Sequence, residues 1–236
     1  MTRLSVNLNK IALIRNARGG NLPNDPDAPN YASLGASYQD SNKGVVIDTI
    51  FKYDPEMLNQ APPIAHPSVN AKQGDIILAV NNQNVSNTAE LKQALINTSQ
   101  QQVLLTLQRG KKQLKTIVVP SSADRISQYR YQHWAETNLH KVNKADSNIG
   151  YMHLYAMGPY DLASFVRDFY AQNHKQGLII DVRRNRGGNI DSILIEKLMR
   201  RAWSFWQTPD GDKTSNMQGA FRGHLVVLAD QFTYSD

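Results

Sequence analysis

The residues of this chain whose types and spacing could support chemistry gather towards its C-terminal end. Asp181 and Arg183 close an apolar run, Gly187-Gly188 follows at once, and Ser235 comes shortly after a second apolar run. A serine held at a tight turn just beyond a buried strand has an exposed hydroxyl, the general device for presenting a nucleophile. A glycine pair at a strand end lets the backbone approach a ligand and aim an N–H at a developing oxyanion. Taken alone, Gly187-Gly188 reads as a plain tight turn, and Ser235 by itself carries no weight. Asp181 and Arg183 read as a structural ion pair rather than a catalytic one, and Asn185 as a residue that shapes the turn. A serine nucleophile also needs a base within hydrogen-bonding reach. The six histidines are His66, His133, His140, His153, His174 and His224. Each reads as surface or satisfied structure. Cysteine is absent, which excludes disulfides, thiol nucleophiles and Cys-ligated metals.

These residues must be positioned by regular elements, and the chain offers two structured regions joined by a helical connector. In the first, residues 45–51 and 74–80 are β-branched runs ended by turn formers, among them Asn81-Asn82. Residues 89–96 carry Leu91 and Leu95 four apart behind Thr88, which predicts a short helix with Thr88 as N-cap. Residues 103–107 and 114–119 flank Arg109-Gly110-Lys111, a hairpin signature. The connector predicts a helix over 124–142. In the second region, residues 149–154, 177–182 and 224–228 are apolar strands, the last two read as buried. Helices are predicted over 159–174 and 190–203. The order β-α-β-α-β implies a parallel sheet with right-handed crossovers.

Composition narrows the classes. The chain has 236 residues, 41% hydrophobic and 19% charged, ordinary for a globular protein of one or two domains. The net charge is +6, but the Lys and Arg residues are dispersed, and no zinc-finger or RRM pattern is present. The charge reads as a solvated basic surface, with no nucleic-acid partner. No run is long enough to span a membrane, and no signal peptide is evident. A cytoplasmic location is expected, with the periplasm as the alternative should the full-length protein carry a signal peptide.

The motifs resemble one protein family. Gly74-Asp75-Ile76-Ile77-Leu78-Ala79-Val80-Asn81-Asn82-Gln83-Asn84-Val85 resembles the signature of a PDZ domain, and Leu34-Gly35-Ala36 resembles the PDZ carboxylate-binding loop. The stretch from Gly177 through Asp181, Arg183, Asn185 and Gly187-Gly188 resembles a segment of tail-specific (C-terminal-processing) and tricorn proteases. Ile149-Gly150-Tyr151-Met152-His153 and the helix from Ser192 to Leu198 fit the tricorn branch. Tyr234-Ser235-Asp236 matches that branch's nucleophile motif, with Tyr in place of Gly.

The resemblance implies an α/β chain with an irregular segment over 1–30, a PDZ domain (β-rich with short helices) over 31–120, and a helical connector over 121–147. The first half of a ClpP/crotonase-like βαβ spiral follows over 148–236. It implies a serine endopeptidase acting on peptides or unfolded proteins, with Ser235 as nucleophile and the backbone N–H groups of Gly188 and Asp236 as the oxyanion hole. It implies peptide binding at Leu34, Gly35 and Ala36 by β-augmentation. No cofactor or metal follows from it, and the full-length protein is expected to be a homo-oligomer. The family's catalytic histidine, upstream of the PDZ domain, has no counterpart near Gly19-Gly20-Asn21. The chain is therefore expected to be a partial protease domain, inactive alone, with exposed apolar faces at Leu178 and Leu225. Two other readings stand beside this one. One is a non-catalytic PDZ module on a protease-like scaffold, and the other an enoyl-CoA-hydratase-like enzyme on a related fold.

Overall fold

The computed structural model describes residues 30–217 and 219–235. The irregular segment expected over 1–30 and the donor assigned to Asp236 thus lie, but for Asn30, outside the described residues.

The first region is a six-stranded antiparallel sheet. Two short strands, β1 (Ala32–Ser33) and β2 (Ala36–Ser41), lead into β3 (Gly44–Ile50), β4 (Ile76–Val80) and β5 (Gln83–Asn84). A helix α1 (Thr88–Ala94) precedes the hairpin β6 (Val103–Arg109) and β7 (Lys112–Val118). The order is β2-β3-β4-β6-β7, with β5 paired to β4. Asn81 and Asn82 both take positive φ, 49° and 66°, which is why an Asn-Asn pair closes the β4–β5 turn. The cap of α1 differs from expectation. Asn87, not Thr88, is the N-cap and accepts from the Glu90 N–H at 2.9 Å. The Glu90 carboxylate reaches back to the Ser86 N–H at 2.8 Å, just outside the helix, and the Thr88 N–H donates to Asp40 Oδ1, so two of the helix's open donors, on Glu90 and Thr88, are satisfied. Leu34, Val45, Ile47, Ile77, Leu91, Leu105 and Leu107 are buried in one core, alternating along their strands as period-two patterning requires.

A strand β8 (Ser121–Ser122) pairs back to β1 and feeds the connector helix α2 (Ile126–Ala145), slightly later than predicted. The second region is a three-stranded parallel sheet of β9 (Ile149–His153), β10 (Gly177–Asp181) and, after two short strands, a last strand. Helix α3 (Pro159–Gln172) connects β9 to β10, and α4 (Asp191–Leu198) follows β10. Here α4 stops five residues earlier than expected. The chain instead forms a small hairpin, β11 (Phe205–Trp206) with β12 (Thr214–Ser215), before β13 (His224–Leu228). The order β13-β10-β9 with all neighbours parallel matches the predicted topology.

Packing in this region is one-sided. Phe165, Phe169, Leu178, Ile180 and Leu194 form its core. Leu178 is buried, against expectation, because α3 places Phe165 and Phe169 over it. Leu225 is exposed as expected, together with Val226 and Val227. The apolar run of β13 predicted a buried strand; instead, among the described residues, it is an edge strand paired with β10 alone. No helix among the described residues is long and apolar enough to cross a membrane.

Candidate active site

Parallel strands place all their C-terminal ends on one side of the sheet, and ligand sites of open parallel sheets form outside those ends. Three loops meet there: 154–158 after β9, 182–190 after β10, and 229–235 after β13. Asn185 joins them. It is 1% exposed. Its Nδ2 donates to the Leu154 carbonyl at 2.8 Å, its Oδ1 accepts from the Gly187 N–H at 2.7 Å, and its own carbonyl accepts from the Tyr234 N–H at 2.9 Å. One buried amide thus fixes the positions of the glycine pair and the serine loop.

The glycine pair is required by space. Met157 and Gly188 form an isolated parallel bridge, with the Met157 N–H donating to Gly187 O and the Asn189 N–H to Met157 O, each at 2.9 Å. A Cβ on Gly188 would run into the Met157 carbonyl. Gly187 has φ +75°, and a Cβ there would lie 2.8 Å from Ser235 O and 3.2 Å from Ser235 Cβ. Ser235 therefore rests directly over the glycine turn, and it is exposed. The Gly188 N–H donates to no acceptor among the described residues and faces an exposed backbone position.

The serine loop is aimed by its own turn. Asp230 Oδ1 accepts from the Arg184 and Phe232 N–H groups at 3.1 and 3.0 Å. Thr233 Oγ1 accepts from the Asp230 N–H at 2.9 Å and donates to Val182 O at 3.0 Å. Burial works against the Asp230 charge, but these N–H donors outweigh it and hold the carboxyl below its ordinary value. Residues 229–235 form turn and loop.

Asp181 and Arg183 form the structural ion pair that the sequence implied. Asp181 is fully buried and takes Arg183 Nε at 2.9 Å and Nη2 at 2.5 Å, with Tyr151 Oη at 2.8 Å. Burial would raise the carboxyl; the hydrogen bonds from Arg183 and Tyr151 overcome it, and the pKa is lowered. The aromatic cluster of Tyr131 and Trp134, three apart on α2, is a feature that sequence reasoning missed. His153 sits within it, its Nε2 donating to Arg183 O at 2.8 Å and its Nδ1 accepting from Tyr131 Oη at 2.9 Å. With both nitrogens engaged, and burial lowering its pKa, His153 is a satisfied structural group. His174 and His224 stand at the opposite end of the sheet, one strand length or about 16 Å from the loops. His66 bonds to Ser68, and His133 Nδ1 accepts from the Lys52 N–H at 3.0 Å. Among the described residues no group of three His, Asp or Glu could hold a metal ion.

The three residues expected to bind peptide termini lie at the start of the open edge strand β2. Leu34 is buried and its carbonyl accepts from the Ile64 N–H at 2.9 Å. Gly35, at φ +76°, packs on Pro62, and its N–H already donates to Ser33 Oγ at 3.1 Å. Ala36 opens β2, which ends beside α1 through the Thr88 N–H to Asp40 Oδ1 bond at 2.7 Å.

Two family models match. The tricorn protease PDZ domain matches residues 32–124, and peptidase family S41 matches residues 148–236. The tricorn-like protease C-terminal subunit of Sulfurisphaera tokodaii is 32% identical over 206 residues, covering 86% of this chain and 23% of that protein. Tricorn protease homolog 1 of Streptomyces coelicolor is 33% identical over 193 residues, 80% of this chain and 18% of its own length. The chain thus spans about a fifth of these relatives. The crystal structure of the tricorn protease superposes with a TM-score of 0.77 at 22% identity, over 86% of this chain and 20% of that one, a likeness of fold. Separately, a stretch of 24 residues is 79% identical to a pyridoxine 5'-phosphate synthase of Parabacteroides distasonis, covering 10% of each chain.

Proposed function

The chain carries a tricorn-protease PDZ domain followed by peptidase family S41 sequence, and on that premise we propose that it forms part of a serine endopeptidase acting on peptides or unfolded proteins. The observation that carries this reading is the seating of Ser235 over Gly187, next to a Gly188 N–H that has no acceptor among the described residues. In the proposal Ser235 Oγ attacks the scissile carbonyl and forms an acyl-enzyme, which water then hydrolyses. The Gly188 and Asp236 N–H groups receive the charge that develops on the carbonyl oxygen. Loss of one such donor typically lowers the rate by roughly 10²–10³-fold.

The base that takes the serine proton is assigned to polypeptide outside residues 30–235, since His66, His133 and His153 are engaged elsewhere and His174 and His224 stand at the far end of the sheet. By the same reading, the peptide enters as an added strand along β2, its terminal carboxylate near Leu34, Gly35 and Ala36; Ser33 Oγ must then release the Gly35 N–H. A cytoplasmic homo-oligomer is part of the proposal. Hydrolysis of an unfolded protein such as casein by the full-length protein, abolished by Ser235→Ala, tests it. Hydrolysis that survives this substitution would refute it.

A further inference from the structure

We infer that the cleft lined by Arg186 and Asp230 is a subsite for an acidic side chain of the bound peptide; this rests on the peptidase reading for its orientation. The cleft has a volume of about 550 Å³. Its aromatic wall is Tyr131, Trp134 and Tyr155, and its rim is Arg183, Arg184 and Arg186, with Asp230 opposite. Both flanking loops also carry the candidate chemistry: Arg186 immediately precedes Gly187, and Asp230 opens the turn that ends at Ser235.

The charges decide the ligand. The Arg183 guanidinium is taken by Asp181 and lies 5.6 Å from the Trp134 ring centre. The Asp230 carboxylate is spent on its turn and lies 4.0 Å from Arg184 Nε. The Arg186 guanidinium has no carboxylate partner among the described residues. The Arg186 backbone N–H donates to Tyr155 O at 3.0 Å, and its guanidinium carbon lies 4.6 Å from the Tyr155 ring centre. A cation set against an aromatic face and without a carboxylate partner among the described residues is placed to take a carboxylate in a fork-like pair. Successive peptide residues advance about 3.3–3.6 Å. In this inference the acidic side chain belongs to a residue close in sequence to the one whose carbonyl lies over Ser235, since Arg186 immediately precedes Gly187.

The test measures binding to the full-length protein carrying Ser235→Ala, by fluorescence anisotropy. Two sets of C-terminally amidated peptides are compared, identical but for Glu or Gln at successive positions. At one position or more, the Glu peptide is expected to bind roughly tenfold tighter, as a charge-assisted pair warrants. The preference should shrink at high salt, vanish in Arg186→Ala and partly return in Arg186→Lys. Equal binding of Glu and Gln peptides at every position, or a preference that Arg186→Ala leaves intact, overturns the inference. The readout is a ratio between two peptides on one protein, so a general loss of stability cancels. Should the serine prove non-catalytic while the Arg186-dependent preference persists, the peptidase reading falls and the anionic-side-chain site stands.

Discussion

Asn185 is the residue on which the geometry of the site depends most. Replacing it with Ala leaves the Leu154 carbonyl and the Gly187 N–H without partners in a buried setting. Each orphaned group costs about 1–3 kcal/mol. Asn185→Ala is expected to lower unfolding stability by about 2–4 kcal/mol in urea titrations of this chain. It should also loosen the serine loop, because the Asn185 carbonyl that holds Tyr234 moves with it. A stability change below about 0.5 kcal/mol would show that the amide is not the tie described here. The sequence suggested a turn-shaping role for Asn185, since Asn is common in turns. It could not show that one residue ties three loops, by its side chain to Leu154 and by its backbone carbonyl to Tyr234, because those loops lie 31 to 49 positions apart and meet only once the parallel sheet has formed. Ser235 and Gly188 could be picked out as candidates through their motifs. The aromatic enclosure of His153 was not, because Tyr131 and Trp134 look like any half-buried helix face until α2 is laid across β9.

At the level of elements, two ion pairs anchor strand ends. Asp181 is held by Arg183 at the end of β10, and Asp75, just before β4, by Arg109 with Nη2 to Oδ2 at 2.7 Å. For both carboxyls burial raises the pKa, but the arginine hydrogen bonds prevail and lower it. A depressed carboxylate stabilises the fold above its unfolded pKa of about 4, and that stabilisation is lost as pH falls through the folded value. Urea midpoints should therefore be flat from about pH 7 to pH 5 and decline below about pH 4. Asp181→Asn should flatten part of that decline, and an unchanged acid limb would contradict the assignment. The edge strand β2 gives the other element-scale test. Peptides are expected to bind the region 30–124 less well when their C-terminus is amidated. Equal binding by both forms would reject carboxylate capture at Leu34, Gly35 and Ala36. Strand positions were easily read from β-branched runs, and helix ends less so. The apolar periodicity of α4 continues to Trp203, yet the helix stops at Leu198, because pairing of Phe205–Trp206 with Thr214–Ser215 draws the chain away.

At the scale of the whole molecule, β13 decides how the chain behaves by itself. Leu225, Val226 and Val227 are 42%, 50% and 62% exposed on an edge that no strand among the described residues covers, the arrangement that invites another strand. The isolated chain should bind a hydrophobic dye and self-associate, and Val227→Lys should reduce both by sedimentation and dye fluorescence. A monodisperse chain without dye binding would show the edge to be covered. The sequence marked β13 as a fully buried strand because its apolar run is continuous, and a continuous run reports the neighbours a strand can take rather than those it has.

The account as a whole turns on Ser235 as a nucleophile. The most direct measurement is labelling of the full-length protein with a fluorophosphonate probe, followed by peptide mapping. Modification at Ser235, absent in Ser235→Ala, is the predicted result. An intact, folded protein left unlabelled at Ser235 beside a fully labelled control serine protease would contradict it.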